Sequence, residues 1–436
     1  MKTISIFLFY FFYSYSSTLS EEYDINFKLN DLTEKSLGIS CIYSLKNNSS
    51  SSIVESILNA IVSGGQVSFS KIEIPKNFTI EWGNKLLNKS YLFYFLFEET
   101  DEFFIWKLYD LTNNLQFIKG KKYLKDNSKR SLLVRHICKD IWKDLFGNDI
   151  TPFDYYLTFL IKNSSEKYKS IITYLCPFIN DYGKKEESDR ILLRTSRNFI
   201  NLYTLDTKPN KSLICSEITN TNVKIIKLNM QGNISSLIDL KGTLSSLITN
   251  KNGVWYINSG KIYRSYFDKE KSKLIHICLT NFDFNGEDSI TAKISVGPNN
   301  SILLTQNFKT YIIDYIIDEK DNCIINNKKK LSPNNVKSVS ITYNEKENII
   351  VTSEKINNYY QLVSYDGTTY ERNILTESKF NKQDPSISPC GAFVAYIIYN
   401  GSNNKTSIEL YNLYTKKIIS VTKKQGYYLS PAWITR

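Results

Sequence analysis

Asp384-Pro-Ser-Ile-Ser-Pro-Cys-Gly-Ala-Phe-Val-Ala-Tyr-Ile-Ile-Tyr399 reads as a strand, a tight turn and a second strand. Pro389 ends the first strand, because proline has no N–H to give to a ladder. Gly391 supplies the turn. Phe393, Val394 and Tyr396 to Tyr399 form a β-branched and aromatic run suited to a buried strand. A third strand follows over Ser407 to Tyr414, then a turn, then a fourth over Lys417 to Thr422. Four antiparallel strands in one module describe a propeller blade.

The module recurs upstream. Pro209 in Lys208 to Ser216 and Pro298 in Val296 to Thr305 stand where Pro389 stands, each ahead of a second strand. Thr249 to Ile257 and Tyr343 to Val351 are looser copies. Third strands align at Lys224 to Asn229, Lys261 to Tyr266, Lys309 to Asp314 and Tyr360 to Tyr365. The spacing drifts around roughly 45 residues, the range of propeller blades.

The ends of the array predict closure. Phe153 to Ile161 resembles a second strand with no first strand before it. Gly426 to Trp433 resembles a first strand with nothing after it. The last strand therefore completes the first blade and removes two exposed edges. Blades at 153–190, 191–240, 241–283, 284–336, 337–381 and 382–425 make six.

The 436 residues predict more than one domain. The composition, 42% hydrophobic and 22% charged, is that of a globular chain. The formal net charge is +12, but the basic residues are scattered, and no nucleic-acid-binding signature accompanies them. Lys328-Lys329-Lys330 is read as a solvated blade-edge loop and nucleic acid is not an expected partner. At the N-terminus, Lys2 followed by the apolar run Ile4 to Tyr13 reads as a secretory signal peptide over 1–20. The mature chain is expected outside the cytoplasm. Seven cysteines, at 41, 138, 176, 215, 278, 323 and 390, show no framework spacing, and buried free thiols are expected, Cys215 and Cys390 at strand positions.

Between leader and propeller, 21–147 reads as a small α/β domain. Gly38 to Tyr43 is a strand. Ile53, Val54, Ile57, Leu58 and Ile61 mark a helix stopped by Gly64-Gly65. Val67 to Ile74, Tyr91 to Phe97, Phe103 to Tyr109 and Leu115 to Tyr123 are further strands, the apolar second of them central. Arg130 to Phe146 is an amphipathic helix ended at Gly147. Residues 148–152 link it to the propeller, 153–436.

Catalytic signatures are missing. The two histidines, His136 and His276, stand apart, and there is no G-x-S-x-G, H-E-x-x-H, C-x-x-C or P-loop. Asp283, Asp288 and Asp314 are the carboxylates that would serve a channel glycosidase if two of them converged. No catalytic residue, metal, cofactor or small-molecule substrate is expected.

The whole arrangement resembles the TolB family, the periplasmic component of the bacterial Tol–Pal envelope system. Asp384 to Tyr396 is similar to the family's D-P-S-W-S-P-D-G-x-x-I-A-Y blade signature. Leu429-Ser-Pro-Ala-Trp433 resembles its terminal strand. Leu108-Tyr-Asp-Leu111 and the helix end Asp140 to Gly147 resemble the close of its N-terminal domain. There are departures: Arg135 stands where the family often has histidine, Lys139 where it has aspartate, and most W-S-P-D-G turns of the early blades are lost.

The resemblance implies a small α/β domain plus an all-β six-bladed propeller closed by the C-terminal strand. It implies a non-catalytic scaffold linking the lipoprotein Pal to TolA, and possible contacts to other outer-membrane proteins, for outer-membrane integrity and constriction at division. The arm that would engage TolA falls on Glu21, Glu22, Tyr23, Asp24, Ile25, Asn26 and Phe27. Two alternatives stand beside it, an exported propeller glycosidase or lyase and a secreted adhesion propeller with no Tol role.

Overall fold

The computed structural model describes residues 39–46, 52–65, 67–73, 79–125, 130–147, 151–162, 169–178, 191–207, 210–219, 222–229, 231–250, 253–268, 273–283, 292–317, 323–399, 405–422 and 426–435. The leader, the arm Glu21 to Phe27 and Asp288 lie outside these.

The N-terminal unit runs β1 (Ile39–Leu45), α1 (Ser52–Gly64), β2 (Val67–Lys71), α2 (Ile80–Leu87), β3 (Phe93–Glu99), β4 (Phe103–Asp110), β5 (Gln116–Leu124) and α3 (Arg130–Phe146). The sheet order is β2-β1-β3-β4-β5, with β1 parallel to both neighbours and β3, β4 and β5 antiparallel in turn. The aromatic β3 is central, as its unbroken apolar run predicts. Its alternation sends Phe95 and Phe97 to one face, with Phe104, Trp106 and Leu108 of β4 beside them. That face packs against α1, through Ile53, Ile57 and Ile61, and α3, through Val134, Ile137 and Ile141. Burying each of these side chains stabilises the unit by about 1.5–3 kcal/mol. Both helices end where a residue must turn left-handed, at Gly65 (φ 85°) and Gly147 (φ 67°).

The sequence pattern does not reveal α2. It is two turns long and contains Gly83, so its periodicity is weak. Its start is fixed locally, since Thr79 accepts a hydrogen bond from the Trp82 N–H at 3.3 Å. Trp82 and Leu86 cover the other sheet face, against Tyr94 and Tyr109.

The rest of the described chain forms six four-stranded blades. Blade one holds Tyr155–Lys162, Ser170–Leu175 and Ile191–Thr195, with the last strand of the chain, Tyr428–Thr435, innermost. Blade two holds Asn198–Thr207, Asn210–Ile218, Asn222–Asn229 and Ile234–Lys241. Blade three holds Leu244–Asn250, Gly253–Asn258, Lys261–Asp268 and Lys273–Asp283. Blade four holds Lys293–Val296, Ile302–Gln306, Lys309–Ile317 and Cys323–Lys330. Blade five holds Ser338–Asn344, Ile349–Ile356, Tyr359–Asp366 and Arg372–Ile374. Blade six holds Asn381–Ile387, Phe393–Tyr399, Thr406–Asn412 and Ile418–Ser420. Terminal closure is direct: Trp433 pairs Leu157, and Thr158 Oγ1 donates to the Ala432 carbonyl at 2.9 Å.

Four details differ from the sequence reading. Ile191–Thr195 is the outer strand of blade one, not the start of blade two, because it pairs with Ser170–Leu175. Lys328 to Lys330 end a paired outer strand instead of lying in a loop. Cys390 sits in the turn after the first strand of blade six, not within a strand. The outer strands of blades three and four also meet edge to edge, Leu279 opposite Cys323 and Thr280 opposite Ile324. This splice covers two edges that a propeller ordinarily leaves bare. As expected for free thiols, Cys41, Cys138, Cys215 and Cys390 are buried and unbridged, and Cys176 and Cys278 are partly exposed.

The axial channel and the two faces of the ring

In every blade the first strand lines the axis, and successive strands alternate in direction. The turns after first and third strands therefore share one face of the ring. The turns after second strands, and the connections between blades, share the other.

The α/β domain sits on the first of these faces, beneath blades one and six. An aromatic series runs from α3 into the ring: Trp142 meets Phe153 edge-on at 5.7 Å, Phe153 meets Phe178 at 5.9 Å, and Phe178 meets Phe393 at 4.6 Å between ring centroids. Gly64 lies so close to Trp142 that a β-carbon there would stand 2.8 Å from the indole. Asn412 folds its own turn by accepting from the Tyr414 and Thr415 N–H groups, and its amide donates to the Gly64 carbonyl at 3.4 Å.

Arg135 is the polar centre of this joint. It is 7% exposed, donates to the Phe153 carbonyl and the Tyr156 hydroxyl, and lies 4.1 Å over the Tyr156 ring. One turn on, Lys139 pairs with Asp154. Asp154 also accepts from the Thr151 N–H at 2.7 Å and hydroxyl at 2.9 Å. Burial works against the charged carboxylate, but Lys139 and Thr151 outweigh it and hold Asp154 below its ordinary range. The two positions that depart from the TolB pattern thus hold the connection into the first blade strand. His136, between them, is largely exposed, and its partial burial and the neighbouring Lys139 and Arg135 lower its pKa. The sequence placed Arg135 only by register; its partner Tyr156 is the signal that pattern reading could not see.

The channel is a cavity of about 620 Å³. The first strand of every blade contributes to the wall, through Ser430, Tyr203, Ser246, Lys293, Ser340 and Asp384 among others. Neighbouring blades are stitched here. The Ile294 N–H donates to Ser246 Oγ at 3.0 Å, the Asp384 N–H to Ser340 Oγ at 3.1 Å, and Trp433 Nε1 to the Ser386 carbonyl at 2.9 Å. Asp384 and Ser430 both have φ 49° and precede a proline, and at each the strand register skips two residues. A bulge spares Pro385 and Pro431 the ladder bond they cannot make. The same device in the last two inner strands is what the matched sequence copies encode.

Lys293 and Asp384 face each other in the channel with Nζ and Oδ1 3.9 Å apart. Asp384 raises the Lys293 pKa. Burial, with Asp384 beyond it, pushes the Tyr399 phenol up to about 12. One ammonium and one carboxylate in contact neutralise each other and do not supply the separated acid and base of a glycosidase. Of the carboxylates considered from sequence, Asp288 lies outside the described residues and the other two belong to strands away from the axis. Asp283 ends an outermost strand and Asp314 lies in a third strand, accepting from Asn327 Nδ2 at 3.3 Å. Among the described residues, no three His, Cys, Asp or Glu side chains stand close enough to hold a metal. His276 is bonded into blade three, its Nδ1 2.6 Å from Ser265 Oγ and 3.2 Å from the Tyr256 hydroxyl.

The same architecture occurs in the crystal structure of TolB from Acinetobacter baumannii. The likeness covers 91% of this chain and 97% of that one, at a TM-score of 0.68 and 15% identity. The chain has the TolB fold. A structure from Lactobacillus plantarum aligns at TM-score 0.39 and 10% identity, over 64% of this chain and 99% of that one. One titled putative TolB from Agrobacterium tumefaciens aligns at 0.36 and 12%, over 65% and 91%. No family model matches the sequence, and no curated protein matches it.

Proposed function

We propose that this chain is a non-catalytic scaffold of a Tol–Pal type system in the periplasm. The observation that carries the reading is the breadth of the TolB likeness: it takes in the α/β domain and the closed ring together, not the ring alone. Blade number by itself would say little, since propellers serve many chemistries. On this reading a Pal-like lipoprotein seats on the loop-lined propeller face that bears the channel mouth. Asn344, Glu345, Lys346 and Pro389 rim that mouth. The α/β domain and the arm Glu21 to Phe27 engage a TolA-like inner-membrane partner. The arm orders on binding, which couples the two partners. Other outer-membrane proteins are further candidate partners; nucleic acid and small-molecule substrates are not. The outcome for the cell is outer-membrane integrity and inward constriction at division. Among the described residues no helix is long and apolar enough to cross a membrane.

The direct test is a pull-down of the chain from Glu21 onward against the same organism's Pal-like lipoprotein, repeated with residues 21–28 deleted. Specific capture that changes on deletion supports the scaffold and makes the arm its regulator. Failure of both forms with folded Pal refutes the assignment.

A further inference from the structure

The face of the ring remote from the α/β domain carries a sector unlike the rest of the surface. It spans the outer turns of blades four and five. Phe308 tips the hairpin between the second and third strands of blade four, with φ 57° and 41% of its surface exposed. Phe380, in the connection from blade five to blade six, is 51% exposed. An aromatic residue in the left-handed region costs about 1 kcal/mol or more and is retained where the turn over-determines it. Here the turn aims the ring outward.

Lysines surround these tips. Lys337 lies 5.5 Å from the Phe308 ring centroid, and the Lys355 N–H donates to the Lys337 carbonyl, which places the two side by side. Lys379 precedes Phe380. All three are exposed. Lys309 and Lys330 brace the connection into blade five through Asn334. The acids of the sector do little to offset this charge. Glu354 is fully buried and bonded to Arg372, Tyr365 and Thr352, which leaves Glu377 as the exposed one among the described residues of the sector.

We propose that this sector docks on an anionic phospholipid bilayer. Three features favour that occupant. The cations are lysines, point charges on long stems that suit an array of headgroup phosphates, with no exposed arginine fork for bidentate recognition. The aromatic tips project from the surface and fit into a soft interface. Neither the channel nor the cleft beside Arg197 and Glu217 draws any lining from this sector. The proposal goes beyond the scaffold reading and does not depend on it, since the Pal seat lies on the opposite face.

The test is co-sedimentation of the chain from Glu21 onward with vesicles of phosphatidylethanolamine and phosphatidylglycerol, and with phosphatidylcholine vesicles as the uncharged control, at physiological ionic strength. Wild type partitions onto the anionic vesicles and not the neutral ones. The triple variant K337E/K355E/K379E lowers that partition by at least about tenfold. F308S/F380S lowers it about fivefold. K416E/K417E, on the domain face, leaves it unchanged. Circular dichroism and melting confirm that each variant is folded. Absence of anionic binding by wild type, or binding unaffected by the triple variant, overturns the proposal. So does equal binding to soluble polyglutamate with no effect of F308S/F380S, which would mark a surface that takes any polyanion.

Discussion

The two faces of the ring are made from the same repeated unit but do opposite things with it. On the domain face, turn residues are drawn inward: Asn412 binds the Gly64 carbonyl, Phe178 fills the gap between Phe153 and Phe393, and a buried arginine reads the first blade strand. On the remote face, turns at equivalent depth hold their aromatic rings and ammonium groups in solvent. A net charge of +12 is therefore no statement about partners until strand direction sorts the charges. The lesson is that a propeller separates packing from display by turn class.

Substitutions at the two faces should differ in kind. The largest effect is expected for Phe153→Ala, which opens a cavity between Trp142 and Phe178 and costs about 3–5 kcal/mol in urea unfolding. Next is Arg135→Ala, at about 3 kcal/mol, because the Phe153 carbonyl is left buried without a donor. Arg135→Lys should recover little of this, since an ammonium cannot both stack on Tyr156 and reach two acceptors. A loss under 1 kcal/mol for Arg135→Ala would show that the joint is ordinary packing.

Gly65→Ala comes third, at about 1–2 kcal/mol. It combines φ 85° with a β-carbon 2.3 Å from the Asn412 amide. Acid should erode the same face. Asp154 has a lowered folded pKa, so its contribution is complete above the ordinary carboxylate value and is lost as pH falls through the folded one. The stability gap between wild type and Asp154→Asn, measured by urea titration, should close below about pH 4. A gap that stays constant down to pH 3 would refute the Lys139–Asp154 pair. The smallest effect belongs to the remote face: Phe308→Ser should stay within about 0.5 kcal/mol.

Legibility followed the range of the interactions. The turn at Ser388 to Phe393 was readable because proline and glycine act locally. The structure adds only its bonds, Gly391 N–H to the Ser388 carbonyl and Ser388 N–H to the Phe393 carbonyl. Closure was readable from an imbalance between the two ends. The outer strand Ile191–Thr195 was not, because its only claim to blade one is its pairing with Ser170–Leu175. Arg135 was marked only by its register against the family pattern; its burial depends on Tyr156, in the strand that follows. Lys293 and Asp384 are 91 positions apart in the chain and meet only when the ring closes. The charged sector around Phe308 was invisible for the same reason, since its lysines come from separate turns.

The closing strand also sets a timetable. Blade one is begun at Tyr155 and cannot be finished until Tyr428–Thr435 exists, a separation of 274 residues at the Thr158–Ala432 bond. A ribosome or export channel that releases the chain from its N-terminus must deliver nearly everything else first. Throughout that interval Tyr155–Lys162 presents an unpaired edge, and contacts this distant form slowly. The molecule thus carries an inspection of its own assembly: a chain lacking Tyr428–Thr435 keeps five complete blades' worth of sequence but leaves blade one open to chaperones, proteases and copies of itself.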